Sequence, residues 1–578
     1  MPLQSLGERI ADLLVAEGVD KFFSLPEVTF GKLHHALHDR GVPLIAGHHE
    51  TASAYIAEAY AAFTGGIAVA GGACGPGVMN LYPAIANSWS ENLPILYLGS
   101  ERSTLARNSP RSGKFQCPPN CDVVKPITKF SAVLEDPLQA DDLFQEAFRQ
   151  LRQGTPGPVY IGLPFDLLLE QREFPNPVPP QRYRPASFTE TVSDAEIEKV
   201  ADLLAKAKRP LIIGGAGIRN AASQAVFRKL VETVGCPTLL TFSARGVLPD
   251  THPQVFDYGI EPGATLTRNA DLILVIGSPI GEKFAYGGNA YTSEQENFPN
   301  YFGKAGEQKW IQLDLDPSTI GRNRPVDVAL PGDMRAILPR LVQALEKRTI
   351  HRTPELDHWS KQRRDYYRGL NANAPDTKPI HPGRAIAELQ SVLPAETIVV
   401  RDGGAFSIWL QNYLHHDIGG YIKAGKQGNL GTGVPYAIGV ALAEQTRGRP
   451  VCLVTGDGSF GFYAMELETA VRYKLPMVIV VGYDAGWSLE VPYYMHVCGR
   501  TFEVDHNFVR LDDLARTLGA HGEFCESTDQ IAPAIRRAFE SGKPALVQIA
   551  IDRDANAFQM PNSHIWTKWH ADKTAYPE

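Results

Sequence analysis

The chain has few cysteines and no marked excess of charge of either sign. Its 578 residues include seven cysteines, an odd number that is scattered along the chain. This usage argues against a disulfide scaffold and favours a reducing compartment. Asp and Glu number 64 against 56 Lys and Arg, which gives a net charge of −8, and no block of basic residues occurs. A dedicated nucleic-acid binder is therefore not expected.

The sequence also lacks long hydrophobic runs. It contains no 18 consecutive apolar residues, so a transmembrane helix is not expected. The N-terminal stretch has helical periodicity without a continuous apolar segment, which argues against a signal peptide and predicts a cytoplasmic protein. Hydrophobic residues make up 44% and charged residues 21%, so a disordered, collagen-like or coiled-coil chain is excluded. At about 100–200 residues per domain, the length predicts three domains or more.

The sequence also lacks the set of Cys and His ligands that a structural zinc site needs. Cys117 and Cys121 are the only two cysteines that lie close together in the sequence. No second pair of Cys or His follows at the spacing of zinc ligands, so we do not expect a zinc site.

Three segments of the chain alternate between strand-like and helix-like stretches. Their strands are continuous runs of Val, Ile and Leu, which indicates parallel sheets buried between layers of helices. Polar and Pro-rich joints at 175–187 and 352–364 separate the segments. The predicted fold is α/β, with three doubly wound parallel-sheet domains at 1–185, 190–350 and 378–578.

The most specific pattern begins at VCLVTGDG and ends at GYDAG. An apolar strand ends in Gly456-Asp457-Gly458, a helix opens at Ser459, and a second strand ends at Asp484. Because ligands bind at the carboxyl ends of parallel strands, the two aspartates should meet at that edge of the sheet. Two carboxylates with backbone carbonyls suit Mg²⁺, whose other ligands would be phosphate oxygens and water. The glycines and the helix N-terminus suit a diphosphate, although Gly-Asp-Gly alone is often only a strand–helix turn.

This pattern resembles that of the thiamine-diphosphate (ThDP) enzymes, in which Asn-Asn follows Gly-Asp-Gly by about 25–30 residues. The resemblance extends over essentially the full chain, but Tyr483 and Asp484 replace the Asn-Asn pair. It implies that Asp457, Asp484 and the carbonyl oxygen of Gly486 bind Mg²⁺, since Asp keeps an oxygen at the ligand position. It also implies contacts with the cofactor for Gly456, Gly458, Ser459, Trp487 and, in the turn DGGAF, Gly404 and Ala405.

The resemblance implies a proton-transfer site at the other end of the cofactor. A ThDP enzyme needs a carboxylate at the aminopyrimidine N1′, and Glu50, at the start of ETASAYIAEAYAAF, corresponds to it. A lone Glu at a helix start would be explained by the helix dipole, but the neighbouring motifs favour the catalytic interpretation. In these, Cys74 of ACGPG replaces a common Ser, and Phe115 and Gln116 of GKFQ would face the substrate. Leu430 corresponds to the residue that wedges under the bent cofactor.

The residues that would choose the reaction are less distinctive. Glu490 in GWSLE resembles the Glu that handles protons in pyruvate decarboxylases and is expected to be buried, unless it lies on a solvated helix face. Arg245 lies in a stretch similar to the region that receives the ADP part of CoA in oxalyl-CoA decarboxylases and 2-hydroxyacyl-CoA lyases, or it is an ordinary surface charge. The stretch GSPIGEKFAYGG departs from the FAD-binding segment of acetolactate synthases, so FAD is not expected.

The resemblance implies a ThDP- and Mg²⁺-dependent carbon–carbon lyase that cleaves a 2-hydroxyacyl-CoA to a carbonyl compound and formyl-CoA. The alternatives are an acetolactate-synthase-like carboligase, a 2-oxo acid decarboxylase, and a catalytically silent ThDP-binding protein. In the family the first domain of one subunit meets the third domain of another, so a homodimer or homotetramer with shared active sites is expected. The tail, with Phe558, Trp566 and Trp569, would either close over the site or pack as an arm.

Overall fold

The computed structural model contains three six-stranded parallel sheets and two compact units. It describes residues 3–184, 192–219, 221–257, 260–281, 284, 286–287, 302–303, 306–555 and 559–560, apart from the side chains of 221, 222 and 496. The first unit comprises Met1–Ser187, Ala424–Gly448 and Tyr463–Leu475. The second unit comprises Phe188–Lys423, Arg449–Phe462 and Pro476–Glu578.

The first unit contains the first sheet. Its strands are β2 (Phe22–Phe23), β3 (Leu44–Ile45), β4 (Ala68–Gly72), β5 (Ile95–Glu101), β6 (Phe130–Val133) and β7 (Val159–Pro164). Their order in the sheet is β3-β2-β4-β5-β7-β6, and all pairs are parallel. A separate antiparallel pair joins β1 (Leu3–Ser5) to β8 (Gln171–Glu173). The helices are α1 (Leu6–Ala16), α2 (Gly31–Asp39), α3 (Glu50–Thr64), α4 (Pro76–Glu91), α5 (Thr104–Asn108), α6 (Asn120–Val124), α7 (Ala140–Arg152), α15 (Gly433–Glu444) and α17 (Glu466–Arg472).

The second unit contains the other two sheets. The second sheet has β9 (Pro210–Gly214), β10 (Thr238–Leu240), β11 (Val255–Phe256), β12 (Leu272–Ile276), β13 (Lys309–Asp314) and β14 (Val328–Pro331), in the order β11-β10-β9-β12-β13-β14. The third has β15 (Ile398–Arg401), β16 (Gly420–Lys423), β17 (Val451–Gly456), β18 (Val478–Tyr483), β19 (His521–Cys525) and β20 (Ala545–Ala550), in the order β16-β15-β17-β18-β20-β19. The helices are α8 (Asp194–Lys206), α9 (Ala221–Val234), α10 (Gly263–Asn269), α11 (Met334–Glu346), α12 (Leu356–Ala372), α13 (Pro382–Val392), α14 (Ala405–Tyr413), α16 (Asp457–Gly461), α18 (Glu490–Cys498), α19 (Leu511–Thr517) and α20 (Thr528–Glu540).

The predicted fold class is confirmed, because each sheet is parallel and carries helices on both faces. The second sheet shows why continuous apolar runs form such strands. In β9, Ile212 belongs to one hydrophobic cluster, whereas its neighbours Leu211 and Ile213 belong to the cluster on the opposite face. Since successive side chains of a strand point to opposite faces, both faces must be apolar when both are covered.

Local signals fix the ends of several predicted helices. The helix α3 begins after His49, whose ring Nδ1 accepts the N–H of Thr51 at 3.1 Å, and it ends at Gly65, which is left-handed at φ 71°. A residue without a side chain takes this conformation readily, so glycine stops the helix there. The predicted helix at 383–393 forms as α13, with Pro382 in its first position.

One predicted joint has a different structure. The polar stretch 352–364 was expected to be a linker, but α12 starts within it and extends to Ala372. Polar side chains do not prevent a helix here because four of its residues, Leu356, Ser360, Arg363 and Tyr367, are buried along one face. The joint is therefore a helix that packs on the second unit rather than an open linker.

Helices α15 and α17 follow strands of the third sheet in the sequence but pack within the first unit. A Cβ at Gly439 of α15 would lie 2.3 Å from the carbonyl oxygen of Ile56 and 2.8 Å from Cβ of Ala59, both on α3. Only glycine therefore permits this approach between α15 and α3. Among the helices in the described residues, none combines the length and the apolar character needed to cross a membrane.

Candidate active site

The two aspartates of the phosphate-and-metal pattern lie together, as their positions at strand ends predict. Strands β17 and β18 are adjacent and parallel, and Asp457 and Asp484 directly follow them. Their carboxyl groups are within hydrogen-bonding reach of each other. The N–H of Gly486 donates to Oδ2 of Asp457 at 3.1 Å. All three predicted metal-binding residues therefore meet at one edge of the third sheet, although it is the N–H of Gly486 that touches the aspartate.

The pKa values of both aspartates are raised above those of an exposed aspartate. Burial raises the pKa of Asp457, and burial together with the charge of Asp457 raises the pKa of Asp484. Two neighbouring groups act in the opposite direction: His506, whose Nδ1 lies 3.7 Å from Oδ2 of Asp457, lowers the pKa of Asp457, and Arg553 lowers the pKa of Asp484. No sequence pattern points to His506 or Arg553, since both follow the motif at a distance and lie outside any recognised pattern.

The residues present fit a magnesium ion. Carboxylate oxygens are preferred Mg²⁺ ligands, and a divalent cation between Asp457 and Asp484 would favour the charged form of both. Within the described parts of the chain, no group of three or more His, Cys, Asp or Glu side chains is arranged to hold a metal. A cation bound here would complete its shell with backbone oxygen, phosphate and water, which is the way in which Mg²⁺ is commonly held at phosphate sites.

Two glycine-containing turns form the surroundings of this pair. Gly404 has φ +89°, directly before α14, and a Cβ there would lie 3.7 Å from Oγ of Ser459. A Cβ at Gly458 would lie 2.7 Å from the indole ring of Trp487. The DGGAF turn thus lies beside Ser459, and Trp487 lies beside Gly458. These predicted residues are brought together, and neither α14 nor α16 has a side-chain cap for its first N–H groups.

Glu50 lies in the first unit, as the first residue of α3. The side-chain amide of Asn80 on α4 donates to Oε2 of Glu50 at 2.9 Å. A Cβ at Gly77 would lie 3.2 Å from Oε1, so the ACGPG turn passes directly beside the carboxylate. Asn80 is a partner of Glu50 that sequence reasoning did not identify, although it lies in the helix after that turn.

The same turn reaches Gln116. A Cβ at Gly75, whose φ is +69°, would lie 2.9 Å from Cα of Gln116. Gln116 itself has φ +50°, which a residue with a side chain rarely adopts. The adjacent Phe115 is 70% exposed. The structure therefore groups Glu50, the ACGPG turn and Gln116 in one corner of the first unit, with Phe115 projecting into solvent.

The segment of Leu430 joins the same unit. The side-chain amide of Asn429 donates to the hydroxyl of Tyr55 on α3 at 2.6 Å. Leu430 is half-buried and comes three residues before α15. Leu430, which is predicted to wedge under the cofactor, is therefore held near α3 by the hydrogen bond of its neighbour Asn429.

A chain of polar contacts around Cys74, in the first unit, was not predicted. Oγ of Ser100 lies 3.1 Å from the sulfur of buried Cys74 and donates to Oγ1 of Thr29 at 2.5 Å. The hydroxyl of Thr29 in turn donates to the carboxylate of Glu27. Burial raises the pKa of the Cys74 thiol, so this cysteine acts as a neutral hydrogen-bonding group, as the Ser of the related motif would.

Two expectations need correction. Glu490 was expected to be buried, but it is exposed as the first residue of α18, a helix position at which acidic residues are commonly found in contact with water. Arg245 is expected either to contact the ADP part of CoA or to be an ordinary surface charge, and the second expectation is wrong: its guanidinium is largely buried and donates to Asp250 at 2.6 Å and 3.0 Å and to the carbonyl of Leu414. Asp250, five residues later, already neutralises this charge. Phe558, Trp566 and Trp569 lie outside the described residues.

The chain matches three known domain families. Residues 4–122 match the thiamine pyrophosphate enzyme N-terminal TPP binding domain, 197–341 the central domain, and 402–549 the C-terminal TPP binding domain. The chain is 29% identical to a probable acetolactate synthase of Mycobacterium bovis over 95% of this chain and 97% of that one. It is 27% identical to a probable acetolactate synthase large subunit of Methanococcus aeolicus over 96% and 93%. It is also 27% identical to 2-hydroxyacyl-CoA lyase 2 of Homo sapiens over 95% and 90%.

Proposed function

Since the chain belongs to the thiamine pyrophosphate enzymes, we propose that it is a ThDP- and Mg²⁺-dependent enzyme that breaks or forms a carbon–carbon bond next to a carbonyl group. The three matched domains and the acetolactate synthase and lyase relatives make it an enzyme of the carboligase, lyase or decarboxylase type. The observation that carries the proposal is the meeting of Asp457, Asp484 and Gly486 at one sheet edge.

In the proposed site the third sheet holds the diphosphate end of the cofactor. Asp457, Asp484 and the carbonyl oxygen of Gly486 would hold Mg²⁺, and the N–H groups around Gly458 and Ala405 would face the phosphates. When bound, ThDP supplies a nucleophilic carbon and an electron sink for the carbon–carbon bond that changes. The protein positions it and keeps its charges balanced.

In the same proposal the first unit supplies the proton chemistry. The carboxylate of Glu50 would hold a proton at N1′ of the aminopyrimidine, and Asn80 keeps that carboxylate oriented. Gln116 would hydrogen-bond the substrate, and Phe115 would cover it. Glu490 remains a candidate acid or base for the substrate hydroxyl, acting from an exposed helix start rather than from an apolar pocket.

For the substrate, we propose a 2-hydroxyacyl-CoA as the first candidate. Deprotonation of its hydroxyl lets the electron pair of the O–H bond form the new carbonyl bond as the carbon–carbon bond breaks. The electron pair of the breaking bond stays with the acyl carbon, which takes up a proton to give formyl-CoA. The relatives named 2-hydroxyacyl-CoA lyase 2 support this reading. The acetolactate synthases support the second candidate, a carboligase or decarboxylase that acts on 2-oxo acids. The pairing of Arg245 with Asp250 also favours this candidate, because the charge that a CoA phosphate would contact already has a partner.

A paired assay separates the two candidates. The purified protein, loaded with ThDP and Mg²⁺, is given pyruvate in one reaction and a 2-hydroxyacyl-CoA in another. The first candidate predicts release of an aldehyde and formyl-CoA with little consumption of pyruvate. Rapid turnover of pyruvate without cleavage of the CoA ester would overturn it in favour of the second.

We also propose that the active enzyme is a homodimer or homotetramer in the cytoplasm. Glu50 belongs to the first unit and Asp457 to the second, and a shared site between subunits would let both reach one cofactor. All seven cysteines are unpaired, which suits a reducing compartment. A monomeric molar mass of the active enzyme in sedimentation would contradict the shared site.

A further inference from the structure

Glu58 is a fully buried acid in the middle of α3, the helix that begins with Glu50. Burial raises its pKa to about 8, although hydrogen bonds from Ser88, Tyr436 and Asn87 act in the opposite direction. A carboxylate in such a place is unfavourable unless it is paired with a cation or protonated. The described hydrogen-bond partners of Glu58 are two hydroxyls and an amide, so protonation is the state that fits.

The contacts of Glu58 accommodate that proton. The side-chain amide of Asn87 donates to Oε2 at 2.7 Å, and the hydroxyl of Tyr436 donates to the same oxygen at 2.9 Å. Oγ of Ser88 lies 2.7 Å from Oε1 and 2.9 Å from the hydroxyl of Tyr97. Because a hydroxyl both accepts and donates, Ser88 is able to accept the acid proton while it donates to Tyr97. Every oxygen of the neutral acid then has a partner.

These partners come from three other elements. Asn87 and Ser88 belong to α4, Tyr97 to β5 and Tyr436 to α15. The same helix α4 carries Asn80, which orients Glu50, and α15 follows the segment of Leu430. Glu58 therefore contacts the same helices that carry Asn80 and follow Leu430, and it lies two helical turns from Glu50 on α3.

Of the ionisable groups around Glu58, Glu91 raises its pKa through its negative charge, whereas the hydroxyl of Tyr436 lowers it by donating a hydrogen bond. The groups around it are Tyr55 on its own helix, Glu91 on α4, Tyr97 on β5 and Tyr436 on α15. Strands β2 and β4, which also pack against α3, contain no ionisable side chain. Ionisation of Glu58 would place a second negative charge near Glu91 and remove the proton that links it to Ser88.

We propose that Glu58 is a positioning residue, which as an uncharged acid ties α3 to α4 and α15 and thereby holds Glu50, Asn80 and the Leu430 segment in the arrangement that cofactor binding and activation need. The proposal rests on the proposed ThDP function. Loss of the proton at alkaline pH loosens the three-helix junction, so the cofactor is held less well.

The test compares the pH dependence of cofactor binding in wild type and Glu58→Gln. The amide keeps the size and the oxygen acceptor of the acid but has no proton to lose. ThDP affinity, measured by calorimetry in excess Mg²⁺, should fall in wild type by up to about tenfold per pH unit above about pH 8. In Glu58→Gln it should stay constant over that range. Tyr60→Phe, on the same helix but with its hydroxyl bonded to Asp20, is the control and should follow wild type.

An infrared titration of the wild-type protein makes the test independent of whether Glu58→Gln folds. A band of a protonated carboxyl group should disappear as the pH rises through about 8. The same alkaline decline of affinity in wild type and Glu58→Gln, or no such band in wild type, would overturn the proposal. Failure of wild type to bind ThDP at any pH would instead overturn the proposed function.

Discussion

The role proposed for Glu50 depends on its neighbours. Its carboxylate is at the first position of α3, receives the amide of Asn80 and is bordered by the backbone of Gly77. Glu50→Gln keeps these contacts but cannot hold or release a proton. We expect ThDP to bind with little change and turnover to fall by about 10²–10⁴-fold. Calorimetry and a steady-state assay on the same preparation measure both, with exposed Glu540→Gln as the control. Full turnover in Glu50→Gln would refute its assignment.

Residues inside a motif were predictable, whereas their supports were not. Asp457 and Asp484 could be placed together because each follows a strand of one parallel sheet. His506 and Arg553 reach the same carboxylates from loops beyond that motif, and only the folded chain brings them there. The burial of individual side chains was predicted least well, since Glu490 is exposed and Arg245 is largely buried in an ion pair with Asp250.

At the scale of elements, the approach of α15 to α3 depends on one glycine. A Cβ at Gly439 would overlap the backbone of α3, so Gly439→Ala must push the two helices apart. We expect a loss of about 1–3 kcal/mol in stability, with weaker ThDP binding. Urea unfolding followed by circular dichroism measures it. Gly369→Ala, in the helix α12 with open space around the added carbon, should instead be neutral or stabilising. Equal effects of the two changes would show that no close approach exists.

The buried strands were the most predictable elements. Continuous apolar runs marked β4, β5, β9, β12, β17, β18 and β20 because both of their faces are covered. The helix α12 was missed because its buried positions are spread among many charged residues, so composition suggested a joint. The assignment of α15 and α17 to the first unit was also not predictable from the sequence, since it depends on the packing of α15 against α3 and of α17 against α15.

At the scale of the whole molecule, the sequence pattern was sufficient for three α/β domains, and three family matches agree with that number. The structure groups the same chain into two compact units, with Glu50 in one and Asp457 in the other. The substrate depends on details of a few side chains near the site, which the α/β architecture leaves open.

The central claim is that Asp457 and Asp484 hold ThDP through Mg²⁺. The most direct measurement is a calorimetric titration of ThDP into wild type and Asp457→Ala, each with Mg²⁺ and with a chelator. We predict that wild type binds ThDP only with Mg²⁺, and that Asp457→Ala binds it more than about tenfold more weakly. Asp513→Ala, an exposed aspartate of the same unit, should behave as wild type. Equal affinity of wild type and Asp457→Ala, with or without the metal, would contradict the account.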